Sequence, residues 1–443
     1  MEADCPTRTT SITKLTAVSA KPVNPGTTHS LSPMDHSMAL HSLHLIFYYP
    51  ESTFGSQDLE FLRVSLSEVL CSYPPVTGRL TRGRDERWEV KCNDAGVRLL
   101  SRKVACTIDE WLRTADGLEE SDLTLWEDLP GDPSIWSPFR IQINEFEGGG
   151  MAIGVSCTHL HADFTSLAAL FKSWSEVHRS KAIEHQPIFQ KPILTGRPKP
   201  EIAKSPLIQY YETKSTASSP SVKMATATFL FSDSALKKGV LESQDRCPGT
   251  TSFDFLAALF WICIERLKNT KNFPKSSLSV CVDSRKFVKP PLPFRYFGNA
   301  LHFSQLSLPK EDMCCSGVAE VTRQIHDHVT NLREEEFWSA WEWLMLRKSG
   351  SPFRMYGPEL TCVNMEHLSV YEMMFQDGSR PVHVSCNIGN IEGEGLIVVM
   401  PSREGGSFAR TVMVALPEEE MDKLCEDQEI LQLEPIFILR QRK

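Results

Sequence analysis

Short runs of strand-like apolar content alternate with stretches in which apolar residues fall three and four apart, and this pattern predicts a mixed α/β protein. Residues 43–49 form an apolar and aromatic run of strand length. From position 58, Leu59, Leu62, Leu66, Val69 and Leu70 keep helical spacing until Tyr73-Pro74-Pro75 stops the helix. Residues 88–92 and 97–100 flank Asn93-Asp94-Ala95-Gly96, a turn signature that predicts a hairpin. A second hairpin is predicted where residues 139–146 alternate apolar with polar, Gly148-Gly149-Gly150 turns the chain, and residues 151–157 return with little polarity. After it come Thr158-His159-Leu160-His161-Ala162-Asp163 and an amphipathic helix whose stripe is Leu167, Leu170, Phe171, Trp174 and Val177.

Between about 185 and 222 the composition shifts to Pro, Lys, Ser and Thr and periodicity vanishes. A crossover linker is therefore expected at 191–222, dividing the chain into an N-terminal domain, 1–190, and a C-terminal domain, 223–443. The first 30 residues read as a polar lead-in with a strand pattern only at 12–18. The second half opens with a strand at 225–231. A helix follows at 252–268, with Thr251 or Ser252 as cap and Asp254 in its first turn. A strand at 278–282 leads into Asp283-Ser284-Arg285, and three further strands are expected at 382–386, 396–400 and 408–416.

At 443 residues the chain exceeds one ordinary core, which supports the two-domain division. A hydrophobic content of 41% with 23 Phe and 9 Trp is enough to build those cores. The net charge of −9 argues against a nucleic-acid surface. Thirteen Cys without a CxxC pair or a Cys/His cluster indicate a reducing compartment and no metal site. No run reaches the roughly 18 apolar residues of a membrane span, and the N-terminus lacks a secretory pattern. A cytoplasmic monomer is the expectation, with any membrane association made through a partner.

The candidate chemistry centres on His159. A histidine at the end of a buried strand is held by packing while its ring edge faces a cavity, as a general base requires. An HxxxD spacing alone arises about once by chance in a chain of this composition, and a lone histidine is more often structural. Asp163 need not touch the imidazole and is better read as an anchor of the turn. His161 is read as structural, and nothing in the pattern aims the Cys157 thiol at the ring.

The context is more specific. The segment SCTHLHADFTSLAALFKSW, preceded by WSPFRIQINEFEGGGMAIGV, resembles the first active-site motif of the plant BAHD acyl-CoA-dependent acyltransferases. The resemblance continues through LSPMDHS, YPPVTGRL, TSFDFLAALFW, VDSRKFVKPPLPFRYFGNA, YEMMFQDGSRPV and LIVVMPSREGG. It implies two chloramphenicol-acetyltransferase-like domains, each a mixed sheet flanked by helices, with a channel at their interface. Acyl-CoA would be the donor substrate, with no permanently bound cofactor. By the same resemblance His159 is the base, Asp163 pairs with Arg285, and Tyr296 to Asn299 form a structural YFGN motif. Lys286 and Lys289 are candidate contacts to the CoA phosphates.

Two departures stand out. Phe164 follows Asp163 where relatives have a glycine, which is expected to narrow the pocket near the base. The family's DFGWG aligns with Met374-Phe375-Gln376-Asp377-Gly378, so its Asp and Trp positions are lost. Such erosion resembles the eceriferum-like subgroup, which works with a fatty-acid condensing enzyme at the endoplasmic reticulum. The leading reading is therefore acyl transfer from CoA to an alcohol or amine with His159 as base. The alternative is a non-catalytic partner of a very-long-chain fatty acid elongase in wax synthesis, and a third is a lyase or hydrolase in the same pocket. The leading reading expects the His159 ring to be open to a tunnel at the domain interface.

Overall fold

The structure is a computed structural model that describes residues 8–10, 12–24, 26–50, 58–191, 205–216, 222–268, 274–288, 292–347 and 353–440. Its centre in the first half is the hairpin of Phe139–Phe146 and Met151–Thr158, paired in register from Phe139 opposite Cys157 to Glu145 opposite Met151. Around it a six-stranded sheet runs in the order Thr13–Ala17, Val97–Val104, Phe139–Phe146, Met151–Thr158, Ser42–Tyr49, His383–Ile388. Phe139–Phe146 alternates apolar with polar residues, and its polar Arg140, Gln142 and Asn144 are all buried. Segment 122–127 covers them and supplies their partners: Gln142 donates to the Asp122 carbonyl at 2.7 Å, Asn144 to that of Leu123 at 3.0 Å, and Arg140 to the Glu127 carboxylate at 2.9 Å. Gly154 permits that approach, because a Cβ there would lie 2.1 Å from the Leu123 oxygen.

The hairpin expected across residues 88–100 does not form. Trp88–Lys91 joins a separate three-stranded sheet with Thr28–Ser30 and Arg79–Arg82, while Val97–Val104 lies between two strands of the six-stranded sheet. The Arg79 guanidinium holds the connection open by donating to the carbonyls of Gly78, Ala95 and Gly96 at 2.8–2.9 Å. Gly96, at φ 87°, presses against Ala17. Local turn chemistry marks the bend here but does not choose the pairing partners.

A seven-stranded sheet follows the order Leu301–Pro309, Lys275–Asp283, Thr361–Asn364, Leu396–Pro401, Arg410–Pro417, Met224–Phe231, Ile436–Ile438, mixing parallel and antiparallel pairs. Helix Ser252–Leu267 covers one face, started by a capping box of Thr251 and Asp254. This is the mixed two-sheet architecture expected. The division at 191–222 needs two corrections. His383–Ile388 belongs to the C-terminal half by sequence but pairs with Ser42–Tyr49 in the first sheet. The expected crossover linker also contains a helix, Pro206–Thr216. Its sequence, PLIQYYETKST, has no clear apolar stripe, and the helix is held by tertiary burial of Tyr210, Tyr211 and Lys214 rather than by its own pattern. A single core accordingly runs between the two sheets, joining Phe47 and Leu66 to Phe303, Phe337 and Val398. Among the described residues no helix is long and apolar enough to cross a membrane, and no group of three or more His, Cys, Asp or Glu could hold a metal ion.

Candidate active site

Met151–Thr158 ends in the interior, and the chain turns through residues 159–162 before Asp163 caps helix Phe164–His178 by accepting from the Ser166 amide at 2.9 Å. Phe164, the first helical residue, turns into the core between the sheets. His159 lies in the turn and is completely buried. Its amide donates to the His41 carbonyl at 2.9 Å, and its carbonyl accepts from Asn299 Nδ2 at 2.7 Å. Asn299 is held in turn by Asp35, whose Oδ1 accepts both its side-chain and backbone N–H, at 2.8 and 2.7 Å. Asp35 belongs to a capping box with Ser32. The YFGN segment thus fixes the backbone of the histidine, a role that only the structure reveals for Asp35.

The ring of His159 is oriented from one side. Nδ1 lies 2.9 Å from the Ala162 carbonyl, which only accepts, so Nδ1 carries the proton. Burial pushes the imidazole pKa down to about 4, against a smaller opposing pull from Asp163. The neutral ring therefore presents a bare Nε2, and that atom meets the Tyr356 hydroxyl at 3.0 Å. The expected tunnel-facing ring is corrected here: His159 stands between the two halves but is sealed by Tyr356, its exposure being zero. Tyr356 and His41, whose ring packs edge-on against Tyr356 at 5.0 Å, carried no recognisable signal in the sequence.

Asp163 and Arg285 meet as a bidentate pair, Nη1 to Oδ2 at 2.8 Å and Nη2 to Oδ1 at 3.1 Å, with Arg285 only 4% exposed. Asp163 Oδ2 also accepts from the Ala300 amide at 2.9 Å. Arg285 further donates to Asp283 and to the carbonyls of Tyr296 and Gly298, each at 3.0 Å. Asp283 is drawn into this network by Thr165 Oγ1 at 2.7 Å and by His367 at 3.2 Å. Burial alone would raise the Asp283 pKa, but Arg285 and His367 outweigh it and hold the carboxyl below its usual range. The network joins the first-motif turn to the second sheet.

The candidate CoA contacts are not brought to this network: Lys286 is exposed, and Lys289 lies outside the described residues. In the degenerate segment, Met374 is partly buried and Phe375 is buried in a ring cluster with Tyr49, Phe171, Trp174 and His178, at centroid distances of 4.9–5.7 Å. Gln376 bridges to Ser379 across the turn at Gly378. Asp377 is exposed and paired with Arg179 at 2.7 Å and Lys181 at 3.1 Å. Phe375 keeps the phenylalanine of the motif, while the position of its Trp is taken by the exposed Asp377. Asp377→Ala is expected to change stability by less than about 1 kcal/mol, as exposed pairs do; a thermal shift of the purified variant checks it. A cavity of about 230 Å³ lies between helix Phe164–His178 and the 294–297 and 368–373 segments, lined by Tyr73, Ser166, Lys172, Arg295, Tyr296 and Met373.

Several buried histidines make the fold acid-sensitive. Burial lowers His41, His161 and His383 to about 3, and His44 and His159 to about 4. In the unfolded chain they titrate near ~6.5, so between that pH and about 4 the unfolded state binds more protons and stability falls as pH falls. The melting temperature is expected to drop steadily from pH 6.5 to 4.5. A flat profile over that range in circular dichroism would contradict it.

The two mixed sheets, with the HxxxD turn at a strand end and an arginine of the second sheet clamping it, define an acyltransferase fold of the two-sheet type. Residues 8–431 match the model of the Transferase family, and the chain belongs to that family, the BAHD acyltransferases. Hydroxycinnamoyltransferase 1 of Oryza sativa subsp. japonica is 27% identical over 84% of this chain and 87% of its own length. Protein ECERIFERUM 26-like of Arabidopsis thaliana is 26% identical over 93% of each chain. Protein ECERIFERUM 2 of the same plant is 25% identical over 94% of this chain and 97% of its own. Vinorine synthase superposes with a TM-score of 0.73 at 20% identity, covering 96% of this chain and 98% of its own. F. graminearum TRI101 complexed with coenzyme A and deoxynivalenol gives 0.74 at 14% identity, covering 93% and 100%. These structures share the fold.

Proposed function

We propose that the protein transfers an acyl group from acyl-CoA to the hydroxyl or amine of a small acceptor, with His159 as general base. The observation that carries this reading is the Nδ1–H bond to the Ala162 carbonyl, which leaves the Nε2 lone pair to take a proton. Nε2 removes the acceptor's proton as its oxygen or nitrogen attacks the thioester carbonyl. Collapse of the tetrahedral intermediate breaks the C–S bond, and the imidazolium returns the proton to the departing CoA thiolate. Asp163 and Arg285 act by positioning the turn, and the exposed Lys286 is available to the CoA phosphates. Relatives named hydroxycinnamoyltransferase support the reaction class, and those of Avena sativa named hydroxycinnamoyl-CoA:5-hydroxyanthranilate N-hydroxycinnamoyltransferase support an acyl-CoA donor. Purified protein incubated with an acyl-CoA panel and a plant metabolite extract is expected to release CoA; no release with any donor would remove the reading.

A second reading is favoured by two observations, the full-length likeness to ECERIFERUM proteins and the sealed ring of His159. In it the chain is a non-catalytic partner of a fatty-acid condensing enzyme at the cytosolic face of the endoplasmic reticulum. Fatty-acid chain length in cells co-expressing such an enzyme separates the two: the partner extends the chains with or without His159.

A further inference from the structure

The nitrogen that a base must keep free is already engaged by the protein's own hydroxyl. We propose that Tyr356 is a resident plug, its phenol occupying the place an acceptor hydroxyl would take on His159, so that the chain is self-blocked until this tyrosine moves aside. The inference rests on the reading of His159 as base, and it adds a gate which that reading does not contain.

The geometry carries it in three steps. First, an acceptor alcohol must offer an O–H to Nε2, and Tyr356 already makes that contact at 3.0 Å. Second, the imidazole has no other edge to offer. Its Nδ1 is held by Ala162, and its backbone by His41 and Asn299. Third, the phenol is enclosed by rings rather than by solvent. It lies nearly parallel to His159 at 5.8 Å and packs edge-on against His41 at 5.0 Å and Phe303 at 5.3 Å.

The segment bearing the plug is tied down away from the Asp163–Arg285 network. The Arg354 amide donates to the Lys214 carbonyl at 2.9 Å, and the Lys214 ammonium, fully buried, pairs with Glu359. The Gly357 carbonyl accepts from the Glu394 amide at 2.7 Å. Gly357 has φ 102° and is pressed so closely on Glu392 that a Cβ would lie 2.0 Å from its carbonyl oxygen. The helix Pro206–Thr216 and the 392–394 turn therefore hold the plug, and its withdrawal need not disturb the ion pair that shapes the motif. An acceptor binds only the unplugged fraction, so a 1% open population would raise its apparent KM about 100-fold.

The test is carbethoxylation of the whole protein by diethylpyrocarbonate, with His159 followed by mass-spectrometric fragmentation in wild type and Tyr356→Ala. His159 is expected to react at least about tenfold faster in the variant, with His383, buried away from the plug, unchanged. Equal rates at His159 would overturn the proposal. Should Tyr356→Ala fail to fold, Tyr356→Phe keeps the ring and removes only the hydroxyl. With 15N-histidine labelling, the His159 Nε2 resonance is then expected to move toward that of a free imidazole nitrogen, and an unchanged resonance overturns the proposal equally. The acyl-CoA panel with the plant metabolite extract is assayed in parallel. An opened footprint without CoA release supports the plug while rejecting acyl transfer, so the two readings fail separately.

Discussion

Replacing Arg285 by Gln is expected to lower stability by about 3–5 kcal/mol, the usual cost of removing one partner from a buried ion pair. The guanidinium is the only cation that meets both Asp163 and Asp283 in the ion pairs formed among the described residues, and all three side chains are at most 4% exposed. Gln cannot span both carboxylates, so two buried negative charges face each other across the turn. Asp163→Asn should be milder, because Arg285 keeps Asp283 at 3.0 Å and an amide oxygen still accepts from Ser166 or Ala300. The order, Arg285→Gln worse than Asp163→Asn, distinguishes stranded charge from lost packing. Urea unfolding of the two variants measures it; equal losses would assign the effect to lost packing, and negligible losses would show that the pair carries no stability.

The second large effect is on turnover. His159→Ala is expected to lower kcat by about two to four orders of magnitude, the share of a general base, with a smaller change in KM. The pH profile gives an independent check. A base lowered to about 4 is unprotonated through the neutral range, so the acid limb of kcat/KM should fall near pH 4 rather than near ~6.5. His159 contributes its activity above that value and loses it as pH falls through it. Loss of the wild-type rate already at pH 6.5, in protein that remains folded, would assign the base to another group. In cells with a condensing enzyme the same substitution leaves chain length nearly intact if the partner reading holds.

Much of the site was legible because it is built from contiguous, strongly patterned segments. The strand ending at Thr158 and the stripe of Leu167, Leu170 and Trp174 locate His159 at a strand-to-helix junction from spacing alone. Asp254 three residues after Thr251 likewise specifies a helix start, since a capping box is a local hydrogen-bond exchange. The pairing of Asp163 with Arg285 followed from resemblance, not from pattern, since 122 residues separate them. The eroded motif was legible in part: Phe375, which matches its phenylalanine, packs against Trp174 at 4.9 Å, whereas the Trp position holds the exposed Asp377.

What the sequence by itself determined is the mixed α/β class, the strands and helices with a strong pattern of their own, such as those at 43–49, 58–70, 139–157 and 252–268, and the turn that carries His159, because periodicity and capping are contacts between near neighbours. Tertiary structure alone decided which strands pair, so that 88–91 and 97–104 part into different sheets and 383–388 crosses into the first. It also decided that Pro206–Thr216 is helical, because that helix owes its stability to buried Tyr211 and Lys214 and not to its own residues. Above all it decided the state of the base. The environment of His159 is made by His41, Asn299 and Tyr356, residues up to 197 positions away, and neither the pKa of a buried imidazole nor its partner can be read where the chain has not yet been folded around it.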